Sequence, residues 1–272
     1  MEQPDKLLEK AQNGDIRAFQ SLFLEFQPQL KSYLYRLTAN RNETEDLAQD
    51  TFVLAFENIH TFRSESSLKT WVFTIATHHA MKHLKKKKRW VIDTSERTRD
   101  FAHEHEEVMN LLLHTNQSSP QGVFEIREHI DYCFTCISKV LPIEQQVALI
   151  LKDVYDFKVK EIVKIMDSTQ GVVKHLLYNA RQTMVNIFDQ KCALVAKNGV
   201  CYQCSGLNNM FNPKQNAQAE LIKIKMVREA ENEDKQKLYQ LRTELIKGID
   251  PLEANGAELH ELFMKIGHRV NE

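Results

Sequence analysis

Apolar residues recur at intervals of three and four along most of this chain. Phe19, Leu22, Phe23 and Phe26 form one face of a helix that Asp15 is placed to cap. Pro28 restarts the helix rather than continuing it, and Leu30, Tyr33, Leu34 and Leu37 carry the face onward. Asn42 or Thr44 caps a further helix with Leu47, Thr51, Leu54, Ala55 and Ile59 inward and Asp46, Gln49, Asp50 and Asn58 outward. Another begins after Ser66 and Ser67 and carries Trp71, Ile75 and Leu84. Together they predict a helical bundle over residues 1–90.

The same period returns over residues 123–190. Pro142 fits a first-turn position of a helix carrying Val147, Ile150, Leu151 and Val154, with Glu144 favourably placed near its N-terminus. Val159, Ile162, Val163 and Ile165 then make a short helix, Asp167 to Gln170 a polar turn, and Val172, Val173, Leu176, Leu177 and Ala180 a second helix. Two such helices joined by a tight turn predict a helix-turn-helix. Between the two domains, residues 91–122 read as an acidic, polar linker with one short helix around Val108 to Leu113.

Residues 191–213 read as a cysteine-bearing connector and 214–272 as a helical extension. There Leu221, Ile224, Val227, Leu238, Leu241 and Leu245 keep helical spacing to Gly248, and Asp250-Pro251 starts a last helix through Leu259, Leu262, Phe263 and Ile266. Only 8 glycines and 6 prolines punctuate the chain, which excludes a sheet-rich fold needing frequent turns. The predicted fold class is all-α, with two helical domains, a linker and a C-terminal extension.

Charge alters the picture when it is divided along the chain. Thirty-six basic and 37 acidic residues nearly cancel. Yet residues 1–90 carry 14 basic and 11 acidic, whereas 91–131 carry 3 and 9. Six of the eight residues from Lys82 to Arg89 are basic, so a cationic helix end abuts an acidic segment. No apolar run reaches the roughly 18 residues of a membrane span, and Met1 to Lys10 lacks the apolar stretch of a signal peptide. A cytoplasmic chain without membrane insertion is the expectation.

Five cysteines in a reducing compartment point to thiols or metal ligands rather than a disulfide framework. Cys192, Cys201 and Cys204 offer three of the four ligands of a structural zinc site, or a redox-responsive group. Cys133 or Cys136, or a histidine, would complete the set. Against that, Cys133 and Cys136 lie three apart in an apolar helix and also suit burial as small hydrophobes.

The stretch from Asn42 to Arg89, NETEDLAQDTFVLAFENIHTFRSESSLKTWVFTIATHHAMKHLKKKKR, resembles region 2 of the bacterial sigma-70 family, in particular the extracytoplasmic-function type. The resemblance implies that Asp46, Gln49, Asp50 and Phe52 meet the clamp helices of RNA polymerase. It also implies that Phe62, Arg63, the loop Ser64 to Ser67 (Ser64, Ser66 and Ser67 above all) and Trp71 engage the minus 10 promoter element. A loop of small polar residues beside an aromatic suits holding an unstacked base, while Lys82, Lys85, Lys86 and Arg89 suit the neighbouring phosphates. Trp71 suits a place in the bundle core equally well. The sequence departs from the family where an Arg-Asn pair is common, carrying Thr77 and His78, and at Lys82, near where an acid is common.

Residues 141–184 resemble sigma region 4, the reader of the minus 35 element. The resemblance and the lack of acids from 168 to 182 make Ser168, Thr169, Gln170, Lys174, His175 and Arg181 the expected DNA-facing set, with Gln170 and Lys174 reaching base edges. Leu176 and Asn179 stand where relatives usually carry basic residues. The function implied is that of a non-enzymatic sigma factor that binds core RNA polymerase and directs promoter recognition and transcription initiation for an alternative or stress regulon. No cofactor is required beyond the candidate zinc, and an anti-sigma factor is a further candidate partner. The alternative is a stand-alone helix-turn-helix regulator. No glycine-rich phosphate loop, nucleophile-base pair or His-Glu metal motif points to an enzyme.

Overall fold

The structure, a computed structural model, describes residues 4–118, 125–192, 210–211 and 234–272. These residues are all-α, without a strand. The N-terminal bundle comprises α1 (Pro4–Gln12), α2 (Ile16–Leu24), α3 (Gln27–Thr38), α4 (Arg41–Asn58) and α5 (Leu68–Leu84). Asp15 caps α2 as expected, accepting from the amides of Arg17 and Ala18, and Pro28 sits in the first turn of α3. The cap of α4 is Asn40 rather than Asn42 or Thr44. Asn40 is extended, with φ -149° and ψ 119°, and its side chain accepts from the Glu43 amide at 3.1 Å.

Packing within the bundle follows the predicted faces. Phe19, Phe23, Leu30, Tyr33, Leu34, Leu37, Ala55 and Phe73 are buried, and Phe52 packs its ring on Phe19 and Phe23 at 5.2 and 5.1 Å. Thr77, which replaces a more polar residue of the expected pattern, is buried and bonds the Tyr33 hydroxyl at 2.9 Å. A methyl-bearing hydroxyl fits that place because its one polar atom is satisfied there.

In the expected linker at 91–122, the short helix around Val108 to Leu113 is present, but it is longer than expected and another helix precedes it. Residues from Thr94 onward form α6 (Thr94–Glu104) and α7 (Glu106–Ser118), which bury Ala102 and Leu112. The reason lies far along the chain, because their apolar sides pack against the last helix. Next come α8 (Ile126–Ser138), α9 (Ile143–Leu149) running into a π turn at Ile150–Val154, α10 (Val159–Ile165) and α11 (Gln170–Lys191).

The described part of the extension is α12 (Lys235–Lys247), ended by Gly248, and α13 (Ala257–Arg269). The last helix starts six residues beyond Pro251, because Asp250 accepts from the Leu252 amide and holds a turn there instead. The predicted helix through Leu221, Ile224 and Val227 lies outside the described residues.

The parts share one interior. Arg36 of α3 is fully buried; its Nη1 donates to Ser32 Oγ and Tyr155 Oη at 2.7 Å, and its Nη2 to Asp131 Oδ1 and the Ile249 carbonyl at 2.8 Å. Trp90 sits between Lys139, 5.0 Å from the ring centre, and the edge-on His268, also at 5.0 Å. Gly267 is required beneath that ring, since an added Cβ would stand 2.8 Å from it.

Candidate nucleic-acid and polymerase interfaces

The outer face of α4 holds Asp46, Gln49 and Asp50, all exposed, because the inward positions of this helix are taken by Leu47, Ala48 and Thr51. Beside them opens a groove of about 440 Å³ lined by Phe23, Leu24, Gln49, Phe52 and Val53. Leu24 and Val53 are 53% and 50% exposed. Gln20, Gln27 and the Lys31–Glu45 ion pair also line the groove, so it suits a protein partner that presents apolar side chains among polar ones. Phe52 is thus both a core ring and a groove wall. His79 Nε2 lies 3.1 Å from Asp50 Oδ2, and His83 Nε2 3.0 Å from Glu43 Oε2. Half-burial alone would raise the Glu43 carboxyl, but Lys87 and His83 beside it hold it below the usual carboxylate range.

At the other end of α4 the chain turns into a loop. Arg63, Ser64 and Ser67 are exposed, and Ser64 takes the left-handed region at φ 56°. Ser67 caps α5, accepting from the Thr70 amide at 3.1 Å, while Ser66 is half-buried. Trp71 follows one turn later, half-buried against Phe62 with ring centres 5.4 Å apart. One face of the indole therefore belongs to the bundle.

The basic block divides into two sets. Lys82, Lys86 and Lys88 are exposed. Lys85 pairs with Glu144 at 3.0 Å, Lys87 with Glu43, and Arg89 donates to Gln146 Oε1 at 2.5 Å. Burial pushes the Arg89 guanidinium down to about 10, against the pull of nearby Glu144. In this arrangement Arg89 ties two parts of the chain together rather than standing in solvent.

On α11, Gln170, Lys174 and His175 are exposed over the first two turns, as is Tyr178 at 63%. Thr169 accepts from the Val172 amide and so caps the helix, and Ser168 is half-buried beside it. Arg181 departs from the expectation. It lies on the inner flank, Nε and Nη2 both bound to the nearly buried Asp153 carboxylate at 3.0 and 2.5 Å, and that bond raises the guanidinium further. The Tyr239 hydroxyl of α12 donates to the same carboxylate at 2.9 Å. A single sequence carries no signal for this pairing, because Asp153 and Tyr239 lie 28 and 58 residues away.

Of the expected zinc ligands, Cys201 and Cys204 lie outside the described residues. Cys192 is buried, with Sγ 2.9 Å from Arg242 Nη2, and Arg242 stacks on Phe188 at 3.8 Å. Cys133 and Cys136 are buried thiols, Cys136 within 3.5 Å of Ser95 Oγ. No group of three metal-ligating side chains is gathered among the described residues. No described helix is long and apolar enough to cross a membrane.

Comparison with known proteins bears on both surfaces. Residues 22–90 match the family model for sigma-70 region 2, and residues 133–184 that for sigma-70 region 4. The RNA polymerase sigma-H factor of Pseudomonas aeruginosa is 27% identical over 186 residues, spanning 67% of this chain and 92% of that protein. An ECF RNA polymerase sigma-E factor of Haemophilus influenzae is 28% identical over 181 residues, 66% of this chain and 92% of that one. Among solved structures, a sigma factor from Bartonella quintana in complex with an anti-sigma factor aligns with a TM-score of 0.44 and 20% identity, over 63% of this chain and 96% of that one.

Proposed function

The chain belongs to the sigma-70 family, as a factor of the extracytoplasmic-function type, and from that premise we propose how its surfaces divide the work of promoter recognition. It is a sigma factor that binds core RNA polymerase and directs it to promoter DNA. The observation that carries this reading is the presence of both region matches in one chain, in the order region 2 then region 4. A stand-alone helix-turn-helix regulator would need only the second.

Region 2 presents Asp46, Gln49, Asp50 and the Phe52 groove to the polymerase. The Arg63 to Ser67 loop and the exposed side of Trp71 take the minus 10 element. Lys82 and Lys86 meet phosphate, and Lys85 joins them once its bond to Glu144 is given up. Region 4 presents Ser168, Thr169, Gln170, Lys174 and His175 to the minus 35 element, with Thr169 acting chiefly as the helix cap. Arg181 is removed from the DNA-facing set and assigned to positioning α11 through Asp153.

The chemistry is binding alone, so the factor is read as a non-catalytic cytoplasmic initiation protein that needs no cofactor. A zinc held by Cys192, Cys201 and Cys204 is tested by metal analysis of the reduced protein, where absence of stoichiometric zinc rules it out. An anti-sigma factor would cover these same surfaces. Gel filtration of the purified chain with core polymerase tests the function. Co-elution as a holoenzyme is expected, and tight promoter-duplex binding by the chain alone with no holoenzyme would overturn it.

A further inference from the structure

The two DNA-reading parts touch. Lys164 Nζ of the helix-turn-helix donates to the Glu65 carbonyl in the region 2 loop at 2.5 Å, and Thr70 Oγ1 lies 3.5 Å from Glu161 Oε1. Beneath this seam Phe157 packs on Phe73 at 5.0 Å and under Lys69 at 5.1 Å. Elements called minus 10 and minus 35 stand about 25 base pairs apart, or about 85 Å along B-DNA. The arrangement seen here cannot serve both at once.

What spans the closed pair is the end of the chain. Toward region 4, Tyr239 binds Asp153, Lys247 pairs with Asp156 at 2.7 Å, and the Asn255 and Gly256 amides donate to the Glu128 carboxylate at 2.8 and 2.7 Å. Toward region 2, the Ile249 carbonyl accepts from Arg36 and the Leu252 carbonyl from Arg41 Nη2 at 3.1 Å. His268 Nε2 donates to the Thr38 and Ala39 carbonyls at 3.2 Å, and Gly267 seats Trp90.

We propose that residues 234–272 are an intramolecular clasp, which holds the minus 10 and minus 35 readers against each other and must be released before the chain can occupy a promoter. The proposal rests on the sigma-factor reading for its consequence, though not for the clasp itself. These contacts tie the extension to both readers and add to the direct ties between them, such as Arg36 with Asp131 and Phe157 on Phe73, so loosening the extension weakens the closed pair. The free chain is thereby kept from promoter DNA, and polymerase binding competes with the clasp.

Two variants of the full chain test this: Gly267→Leu, which drives a side chain into Trp90, and the milder Arg41→Ala with Glu128→Ala, which removes surface ties while leaving the core intact. Hydrogen exchange is read on peptides covering α10 and the start of α5, and promoter-dependent transcript at core polymerase below saturation. The clasp predicts at least tenfold faster exchange in α10 and severalfold more transcript, converging with wild type when core is in excess. Unchanged exchange in both variants overturns it. So does faster exchange with less transcript, which would make the extension a support for the open form. Transcript from none of the proteins would instead count against the sigma-factor reading, with exchange still deciding the clasp.

Discussion

The Arg36 guanidinium and the Asp131 carboxylate meet at 2.8 Å across the boundary between region 2 and region 4, their side chains only 1% and 2% exposed. Such a pair offers little net stability when intact, but its interruption strands a charge in an apolar interior. Asp131→Ala is therefore expected to destabilise the chain by about 3–5 kcal/mol, by loss of a buried partner. Replacing both residues by apolar ones should recover much of that loss. Urea unfolding of both single variants and the double checks it: additive losses would mean the two groups are not coupled.

Arg181 and Lys174 should behave in opposite ways. Lys174→Ala leaves an exposed position and should change stability by no more than about 0.5 kcal/mol while weakening holoenzyme binding to the minus 35 element. Arg181→Ala leaves the Asp153 carboxylate with one partner fewer in a nearly buried place, and should cost about 2–4 kcal/mol of stability. Thermal unfolding beside promoter binding separates them.

Three observations show what a single sequence discloses here. The caps at Asp15 and Ser67 and the restart at Pro28 were legible because each is settled within a few residues. Of the helices that follow, only the middle of α7 was legible, around Val108 to Leu113; α6 and the full length of α7 were not, since both pack against α13, about 150 residues later, and without it the segment reads as acidic and polar. Arg181 belongs to the expected DNA-facing set for the same reason, its partner Asp153 being distant in sequence. The exposed outer face of α4, with Asp46, Gln49 and Asp50, was legible from helical spacing, whereas the contact between the two readers has no counterpart in local pattern.

Acid should loosen the extension. Burial pushes His260 down to about 3, and burial together with Lys139 nearby holds His268 at about 4. Both are neutral in the fold, while in the unfolded chain they titrate near 6.5, as free histidine does. Their contribution is complete above pH about 6.5 and is lost as pH falls from there toward 4 and then 3, the unfolded chain taking up the protons first. Each titrating group tilts stability by up to about 1.4 kcal/mol per pH unit, less for the partly exposed His268. Urea midpoints at pH 7.5, 6 and 5 should fall in order, and a flat series would contradict the assignment.

The α4 face should matter to polymerase and not to folding. Asp46→Ala with Gln49→Ala removes two exposed groups beside the Phe52 groove, so the unfolding midpoint should hold while core affinity falls about tenfold, the size of a modest loss of about 1.4 kcal/mol. Titration of labelled chain with core polymerase measures it, and unaltered affinity would place the docking surface elsewhere.

Whether this chain makes core polymerase read promoters is decided by transcription in a reconstituted system. Core polymerase with the purified chain is offered a genomic promoter library, and transcript starts are mapped. Starts should depend on the chain, share upstream elements near minus 10 and minus 35, and disappear when either is scrambled. Starts that are the same with and without the chain would contradict it.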